Sequence, residues 1–180
     1  NKNFSLLFLC LLFTVAAVAQ ITGKVVGIAD GDSFTLLTSD NKQLKIRLHG
    51  IDCPEKKAPF GQQAKTFTSD LIFGKYVTIK QTAKDRYRRT VAIVYLPDGR
   101  ILNEELLKAG MAWHYRQHDK NPRWSKKEQQ ARKAKRGLWQ APHPVPPWEY
   151  RKQNKKPRSL ERSPAPLEKK FISHPTFLKV

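Results

Sequence analysis

Five side chains in this sequence have the types and the spacing that phosphate chemistry requires. Asp32 lies in a predicted hairpin turn, and Asp52 and Glu55 follow the end of a predicted strand. Arg47 lies on the polar face of that strand, and Arg89 begins another strand. Carboxylates grouped in loops suit a hard cation such as calcium, and planar guanidinium groups bind two phosphate oxygens at once and stabilise charge that develops on them. A cation, a carboxylate base and two arginines are the groups that phosphodiester hydrolysis needs.

The acidic motifs also have an alternative interpretation as turn residues. The segments Asp30-Gly31-Asp32 and Asp52-Cys53-Pro54-Glu55 both carry aspartates, which favour turns because their side chains bond to the nearby backbone. Taken singly, each motif favours this structural interpretation over a metal site. The functional prediction therefore depends on the whole set of five residues and on their order along the chain.

The charge of the chain indicates a polyanionic partner. Its 180 residues include 34 Lys and Arg against 15 Asp and Glu, a formal net charge of +19, and its 39% hydrophobic content suits one ordinary domain with extensions. A domain with this excess repels itself unless it meets a polyanion, and phosphate backbones and anionic membranes are the usual ones. Nucleic acid is the favoured partner, because no basic amphipathic helix with a bulky apolar face stands out.

The first nineteen residues are predicted to be a signal peptide. Lys2 gives a positive start, residues 4–18 are nearly all apolar, and Ala17-Val18-Ala19 has the small residues that signal peptidase prefers, which leaves Gln20 first. The apolar run is too short to span a bilayer, so we expect a secreted or periplasmic protein with no membrane insertion after cleavage. Cys53 is then the only cysteine, which excludes an intramolecular disulfide.

The hydrophobic pattern predicts a mainly β fold with helices, of the α+β class. Strands are predicted over 21–29, 33–38, 43–49, 76–81 and 90–96, and helices over 61–73, 103–111 and 122–136. Leu44, Ile46 and Leu48 share one face of the third strand, and Asn103 is expected to cap the second helix. Five short strands with these helices predict an OB-type barrel with three helices packed outside, an architecture that often holds oligonucleotides.

The motifs together resemble the staphylococcal nuclease (thermonuclease) family. The resemblance covers roughly residues 21–139, and its motifs occur in the family's order and spacing. The segments that carry it are Asp30-Gly31-Asp32-Ser33, Ile46-Arg47-Leu48, Asp52-Cys53-Pro54-Glu55, Asp85-Arg86-Tyr87-Arg88-Arg89, Asn103-Glu104-Glu105-Leu106 and Ala109-Gly110-Met111-Ala112. The resemblance implies a five-stranded OB-type barrel with three helices. It also implies a calcium-dependent enzyme that hydrolyses phosphodiester bonds of DNA and RNA and leaves 5′-hydroxyl and 3′-phosphate ends.

The same resemblance implies a calcium site. The positions that match Asp32 and Asp52 bind the ion through their carboxylates, and the position that matches Cys53 contributes its backbone carbonyl. The type enzyme has Thr where this sequence has Cys53, but a carbonyl ligand does not depend on the side chain. A role for Cys53 as a nucleophile is correspondingly disfavoured.

The catalytic residues implied by the resemblance are Arg47, Arg89 and Glu55. The two arginines contact the scissile phosphate, and Glu55 acts as general base on the attacking water. Water would attack in line with the leaving group, while positive charge neutralises the transition state.

Three further residues are predicted to bind substrate. Arg86 and Tyr87 match positions that contact the terminal phosphate of a bound nucleotide. Arg88 stands where the type enzyme has Gly, and its added charge either strengthens phosphate binding or crowds the loop. Tyr115 follows the second helix and is expected either to stack on a base or to pack in the core.

The predicted organisation has three parts, with a catalytic domain in the middle. Residues 1–19 form the signal peptide, residues 20–140 the nuclease-like domain, and residues 141–180 a Pro-rich and basic tail that is flexible or partly extended. Residues 151–180 contain nine Lys or Arg and two Glu, so we expect this tail to anchor polyanions without sequence specificity. The alternatives are a non-catalytic nucleic-acid or polyanion binding module on the same barrel, and a basic protein that binds cell-surface polymers. We expect a monomer.

Overall fold

Residues 20–154 are described by the computed structural model of this protein, so the predicted signal peptide and the tail beyond 154 lie outside the described residues. The strands are β1 (Gln20–Asp30), β2 (Ser33–Thr38), β3 (Gln43–Leu48), β4 (Ile51–Asp52), β5 (Tyr76–Lys84), β6 (Thr90–Tyr95) and β7 (Trp113–His114). The helices are α1 (Gly61–Ile72), α2 (Leu102–Ala109), α3 (Pro122–Lys133) and α4 (Pro147–Gln153), with a short 3-10 helix at Gly137–Gln140.

Five strands close into a barrel in the order β1-β2-β3-β6-β5, with β5 pairing back onto β1. All pairs are antiparallel except β3 and β6, which run parallel. The alternation predicted for the third strand is confirmed, since Ile46 and Leu48 are buried and Leu44 packs against the core. The predicted α+β barrel is therefore confirmed.

The barrel register brings the polar ends of three strands together. Arg47 of β3 lies opposite Ser33 of β2 and beside Val91 of β6. Ser33 directly follows Asp32, and Arg89 directly precedes β6. Neighbouring strands of a sheet lie about 5 Å apart. The side chains of Asp32, Arg47 and Arg89, which are 15 to 57 positions apart in sequence, therefore meet at one end of the barrel.

The described residues contain four α-helices rather than three. Helix α1 packs on β1, and α2 packs against both α3 and β6. The prediction of a flexible or partly extended segment after residue 140 is wrong for α4, which begins with Pro147, has Glu149 in its first turn and carries Arg151 and Lys152 at its end. Each of these features favours a helix at that position. Within residues 20–154, no helix is long and apolar enough to cross a bilayer.

The predicted capping role of Asn103 is wrong. Helix α2 begins at Leu102, one residue before Asn103, and Asn103 lies fully buried within the helix. Its Oδ1 accepts a hydrogen bond from the Val94 backbone at 3.1 Å, and its Nδ2 donates to the His49 carbonyl at 2.9 Å. The amide therefore joins the helix to β6 and to the turn after β3, because a buried amide needs partners for both its donor and its acceptor.

A tight turn at Gly50 positions the segment that carries Asp52. Gly50 has a φ of 64°, and a Cβ there would lie 2.6 Å from Cβ of Asp119. Glycine satisfies both the left-handed backbone and the close approach. The chain then enters β4, where Asp52 pairs with Trp113 of β7. This two-stranded sheet holds Asp52 against the helical layer.

Trp124 joins α3 to the rest of the fold. It is 2% exposed, and its Nε1 donates a hydrogen bond to Glu104 Oε1 of α2 at 3.1 Å. Replacing Trp124 with alanine is expected to lower the free energy of unfolding by about 3–5 kcal/mol, because apolar contact is lost and a cavity remains. Urea unfolding followed by circular dichroism measures the change. Trp124→Phe keeps an aromatic ring and should cost clearly less, whereas equal stability of the alanine variant and the wild type would contradict this role.

Candidate active site

Asp32 and Asp52 converge on a single guanidinium nitrogen. Arg47 Nη2 lies 3.1 Å from Asp32 Oδ2 and 2.8 Å from Asp52 Oδ1. Both aspartates are buried, at 5% and 1% exposure. Burial raises the pKa of Asp52, and the Arg151 hydrogen bond opposes this effect. Two buried carboxylates that face one point require positive charge there.

Cys53 contributes its backbone rather than its thiol. Its N–H donates a hydrogen bond to Asp32 Oδ2 at 2.7 Å, which fixes the carboxylate. Burial, reinforced by the charge of Asp32, raises the pKa of the Cys53 thiol well above its ordinary value. Because the thiolate is the nucleophilic form, a nucleophilic role for Cys53 is disfavoured by the structure as well.

Arg89 lies on the other side of Asp32. Its Nε donates a hydrogen bond to Asp85 Oδ2 at 2.6 Å, and its Nη1 lies 3.4 Å from Ser33 Oγ. Ser33 Oγ in turn donates to Asp32 Oδ1 at 3.1 Å. The side chain of Arg89 is 31% exposed, so the loop holds the guanidinium while leaving part of it open to a phosphate.

Glu55 is tied to Asp52 by Arg151, a residue for which the sequence predicts no role in the active site. Arg151 of α4 donates from Nη1 to Glu55 Oε1 at 2.7 Å and from Nη2 to Asp52 Oδ2 at 2.8 Å. Its own segment has helix signals, namely Pro147 at the start and acidic then basic residues along it. Those signals predict a helix but carry no information about what the helix contacts.

The structure thus links all five residues of the original set into one polar network. Ser33 connects Arg89 to Asp32. Arg47 connects Asp32 to Asp52. Arg151 connects Asp52 to Glu55.

The predicted substrate residues occupy two places near this network. Arg86 donates a hydrogen bond from Nη2 to the Tyr87 hydroxyl at 2.7 Å, and Tyr87 is 65% exposed. The Arg89 guanidinium carbon lies 5.6 Å from the centre of the Tyr87 ring. Tyr115 lies apart from these residues, with its ring stacked on Trp148 at 5.1 Å between centroids and 15° between planes.

Arg88 has a backbone conformation that favours glycine. Its φ is 64°, in the left-handed region that glycine occupies without strain. The residue lies in the turn between β5 and β6, and its side chain is exposed. An arginine at this position therefore carries a backbone cost that a glycine would not.

Asp30 is a third carboxylate beside the pair. Its Oδ1 accepts a hydrogen bond from the Asp32 N–H at 3.2 Å. Burial and the adjacent charge of Asp32 raise the pKa of Asp30 to about 7. The folded protein therefore binds a proton at Asp30 that the unfolded chain releases at a pH near 4.

This proton at Asp30 predicts a pH-dependent stability of the metal-free protein. Between pH 4 and pH 7 the folded state binds more protons than the unfolded chain. The stability that the Asp30 proton contributes is therefore present at low pH and is lost as the pH rises through 7. Relative to Asp30→Asn, the wild type should lose on the order of 2–4 kcal/mol across this window. Urea unfolding with a chelator at pH 4.5, 6 and 8 measures the difference. Parallel stability curves for the two proteins would show that Asp30 titrates normally.

The donor chemistry of this site fits a hard cation. The oxygens of Asp32 and Asp52 that meet at Arg47 are both carboxylate oxygens, the ligand type that calcium prefers. Among residues 20–154, no group of three or more His, Cys, Asp or Glu side chains is arranged to hold a metal ion. An ion held by the two aspartates would therefore complete its shell with backbone carbonyls and water.

Comparison with known proteins identifies the family of this chain. Residues 45–141 match the model of the staphylococcal nuclease homologue family. This chain belongs to the staphylococcal nuclease family. An uncharacterized endonuclease of Haemophilus influenzae is 41% identical over 158 residues, which cover 86% of this chain and 88% of the relative. An uncharacterized endonuclease of Escherichia coli is 41% identical over 133 residues, with coverage of 74% and 86%.

A plant relative matches a smaller part of its own length. A staphylococcal-like nuclease of Arabidopsis thaliana is 40% identical over 111 residues, which cover 62% of this staphylococcal nuclease homologue but 34% of the plant protein. The resemblance seen in the motifs is confirmed, and so is the assignment to a nuclease hydrolase. Helix α4 lies beyond the residues that the family model matches.

Proposed function

We propose that this protein is a secreted, calcium-dependent nuclease that hydrolyses phosphodiester bonds of DNA and RNA and leaves 5′-hydroxyl and 3′-phosphate ends. The observation that carries the proposal is the convergence of Asp32 and Asp52 on the Arg47 guanidinium, in a network that also includes Glu55 and Arg89. Family membership supports the reaction class. The net charge of +19 supports a polyanionic substrate.

Asp32, Asp52 and the backbone carbonyl of Cys53 are the groups that would hold calcium. When bound, the ion supplies positive charge that stabilises the phosphoryl oxygens during displacement. The two aspartates are buried and oriented by the Cys53 N–H and by Arg47.

The protein's own residues would divide the remaining work. Arg47 and Arg89 flank Asp32 from opposite sides, so a phosphate beside that aspartate would meet two guanidinium groups, each able to donate two hydrogen bonds. Glu55 is partly exposed, at 38% of its side chain, and would accept the proton of the attacking water. Arg86 and Tyr87 would bind a neighbouring phosphate, whereas the Tyr115 ring is stacked on Trp148 and is not assigned a base.

Export and a monomeric state complete the proposal. The apolar segment over residues 4–18 and the small residues before Gln20 support cleavage of a leader and release as a secreted or periplasmic protein. Cys53 is buried in the described fold, so it would be shielded in an oxidising compartment.

A nuclease assay tests this proposal directly. The purified protein is incubated with plasmid DNA and with RNA, in calcium, in magnesium, and in calcium followed by excess chelator. Cleavage is expected with calcium and should stop with chelator, and end-group analysis should find 3′-phosphates. Tight binding of DNA without hydrolysis under every metal would instead support the non-catalytic binding module.

A further inference from the structure

Helix α4 brings a third arginine into the active site from outside the segment that the family model matches. The matched residues are 45–141, and Arg151 lies ten residues beyond them. It nevertheless contacts two residues of the catalytic set. Its Nη2 lies 2.8 Å from Asp52 Oδ2, and its Nη1 lies 2.7 Å from Glu55 Oε1. One guanidinium therefore bridges the predicted metal ligand and the predicted general base.

Contacts at other points of α4 fix the helix in this place. Trp148 stacks on Tyr115 with the two ring planes 15° apart, and its edge meets Trp113 at 5.7 Å between centroids. The Tyr150 hydroxyl donates a hydrogen bond to the Lys57 carbonyl at 3.4 Å. Pro147, at the first position of the helix, is buried. Anchors at the start and the middle of the helix thus define where Arg151 lies.

Glu55 depends on this arginine for its position. It lies between β4 and α1, in a segment without regular secondary structure. Among residues 20–154, Arg151 is the only partner of the Glu55 carboxylate. An unpaired glutamate side chain samples several rotamers, and ordering it costs conformational entropy. The fork of a guanidinium suits this task because it donates to two carboxylates in a fixed plane.

We propose that Arg151 is a positioning residue of the active site, whose guanidinium holds the Glu55 carboxylate beside Asp52. The role rests on the proposed function, in which Glu55 accepts a proton from water next to the cation held by Asp52. Arg151 acts through these two carboxylates. By this inference the catalytic unit extends through α4 to residue 151.

A second consequence follows from the charge of Arg151. The guanidinium and a bound calcium ion would both neutralise Asp52, so each should weaken the binding of the other. Removing the arginine should therefore tighten calcium binding while it slows catalysis. A purely structural role predicts the opposite for calcium, because a loosened site binds the ion less well.

The test compares Arg151→Gln with Arg151→Lys and with Lys152→Gln in the full chain. Lys152→Gln is the matched control, since it removes one positive charge from the adjacent exposed position of the same helix. Calorimetric titration measures calcium affinity without substrate. A fluorescent DNA oligonucleotide at saturating calcium gives kcat and KM, and thermal melting monitors the fold.

The expected results separate positioning from the alternatives. Arg151→Gln should lower kcat by about 10- to 100-fold with little change in KM and should tighten calcium binding about 3- to 10-fold. Arg151→Lys should recover part of kcat, because its ammonium can reach one carboxylate, and Lys152→Gln should match the wild type.

Three outcomes would overturn the inference. An Arg151→Gln variant with the wild-type kcat would show that Glu55 needs no positioning. A higher kcat would show that α4 blocks the site, and weaker calcium binding together with lower kcat would indicate general loosening. Wild-type protein that fails to cleave DNA at all would instead refute the proposed function, with the calcium titration still reporting on the Arg151–Asp52 contact.

Discussion

Replacing Glu55 with serine is expected to lower kcat by about 10²- to 10⁴-fold, the range that a general base contributes. In the structure Glu55 is the partly exposed carboxylate of the polar network, whereas Asp32 and Asp52 are buried. A partly exposed carboxylate can reach a water molecule and exchange a proton with solvent. Steady-state cleavage of a fluorescent DNA oligonucleotide at saturating calcium measures the loss.

The fold should survive the loss of Glu55. Its carboxylate is hydrogen-bonded only to Arg151 among the described residues, and a partly exposed ion pair adds little to stability. Glu55→Gln keeps the size of the side chain but cannot accept the proton, so it should lose a comparable part of the rate. Glu149→Ser, at an exposed position of α4, is the control for removing a negative charge. A folded Glu55→Ser variant with full activity would exclude Glu55 as the base.

Replacing Arg89 with glycine is expected to lower kcat by about 10²- to 10³-fold, the range measured when one preorganised donor to a developing charge is removed. Arg89 is held by Asp85 at 2.6 Å and reaches Ser33 at 3.4 Å. The guanidinium is therefore oriented before substrate arrives, which is the condition under which such a donor lowers the barrier. The loss should appear mainly in kcat, since the charge on the phosphate grows in the transition state.

Arg88→Gly is a closely matched control for this experiment. Each variant replaces a neighbouring arginine of the same turn with glycine, so the loss of net charge is the same. Arg88 has a φ of 64°, and glycine should relieve that backbone cost and leave activity near the wild-type value. Equal activity losses in the two variants would mean that the turn contributes only general positive charge, and would exclude a specific role for Arg89.

The strand pattern and the nuclease motifs were predictable from the sequence because they depend on local order. Alternation with a period of two places Ile46 and Leu48 inward and Arg47 on the opposite face wherever the strand lies in the fold. The turn that carries Asp32 follows from residues adjacent to it, whereas Asp52 lies in β4 and depends on pairing with Trp113 of β7. The closed barrel followed from five such strands, and the assignment of the five chemical residues followed from their order and spacing in the family pattern.

Other features depended on contacts between distant parts of the chain. Asn103 looked like a helix cap, but its amide bonds to Val94 and His49 because α2 packs against the barrel at that point. The parallel pairing of β3 with β6 joins residues that are 44 positions apart. Hydrophobic patterns predict which face of an element is buried, but they do not identify its partner.

Arg151 shows this difference most directly. The sequence predicts a flexible, Pro-rich and basic tail around it, whereas the structure has the short helix α4 there. Only the tertiary structure decided that it reaches Asp52 and Glu55, which are 99 and 96 positions away. The stacking of Trp148 on Tyr115 and the buried negative charge of Asp52 select that place. Sequence alone therefore predicted the five residues and the chemistry proposed for them, while packing and electrostatics over long distances added Arg151 as the sixth.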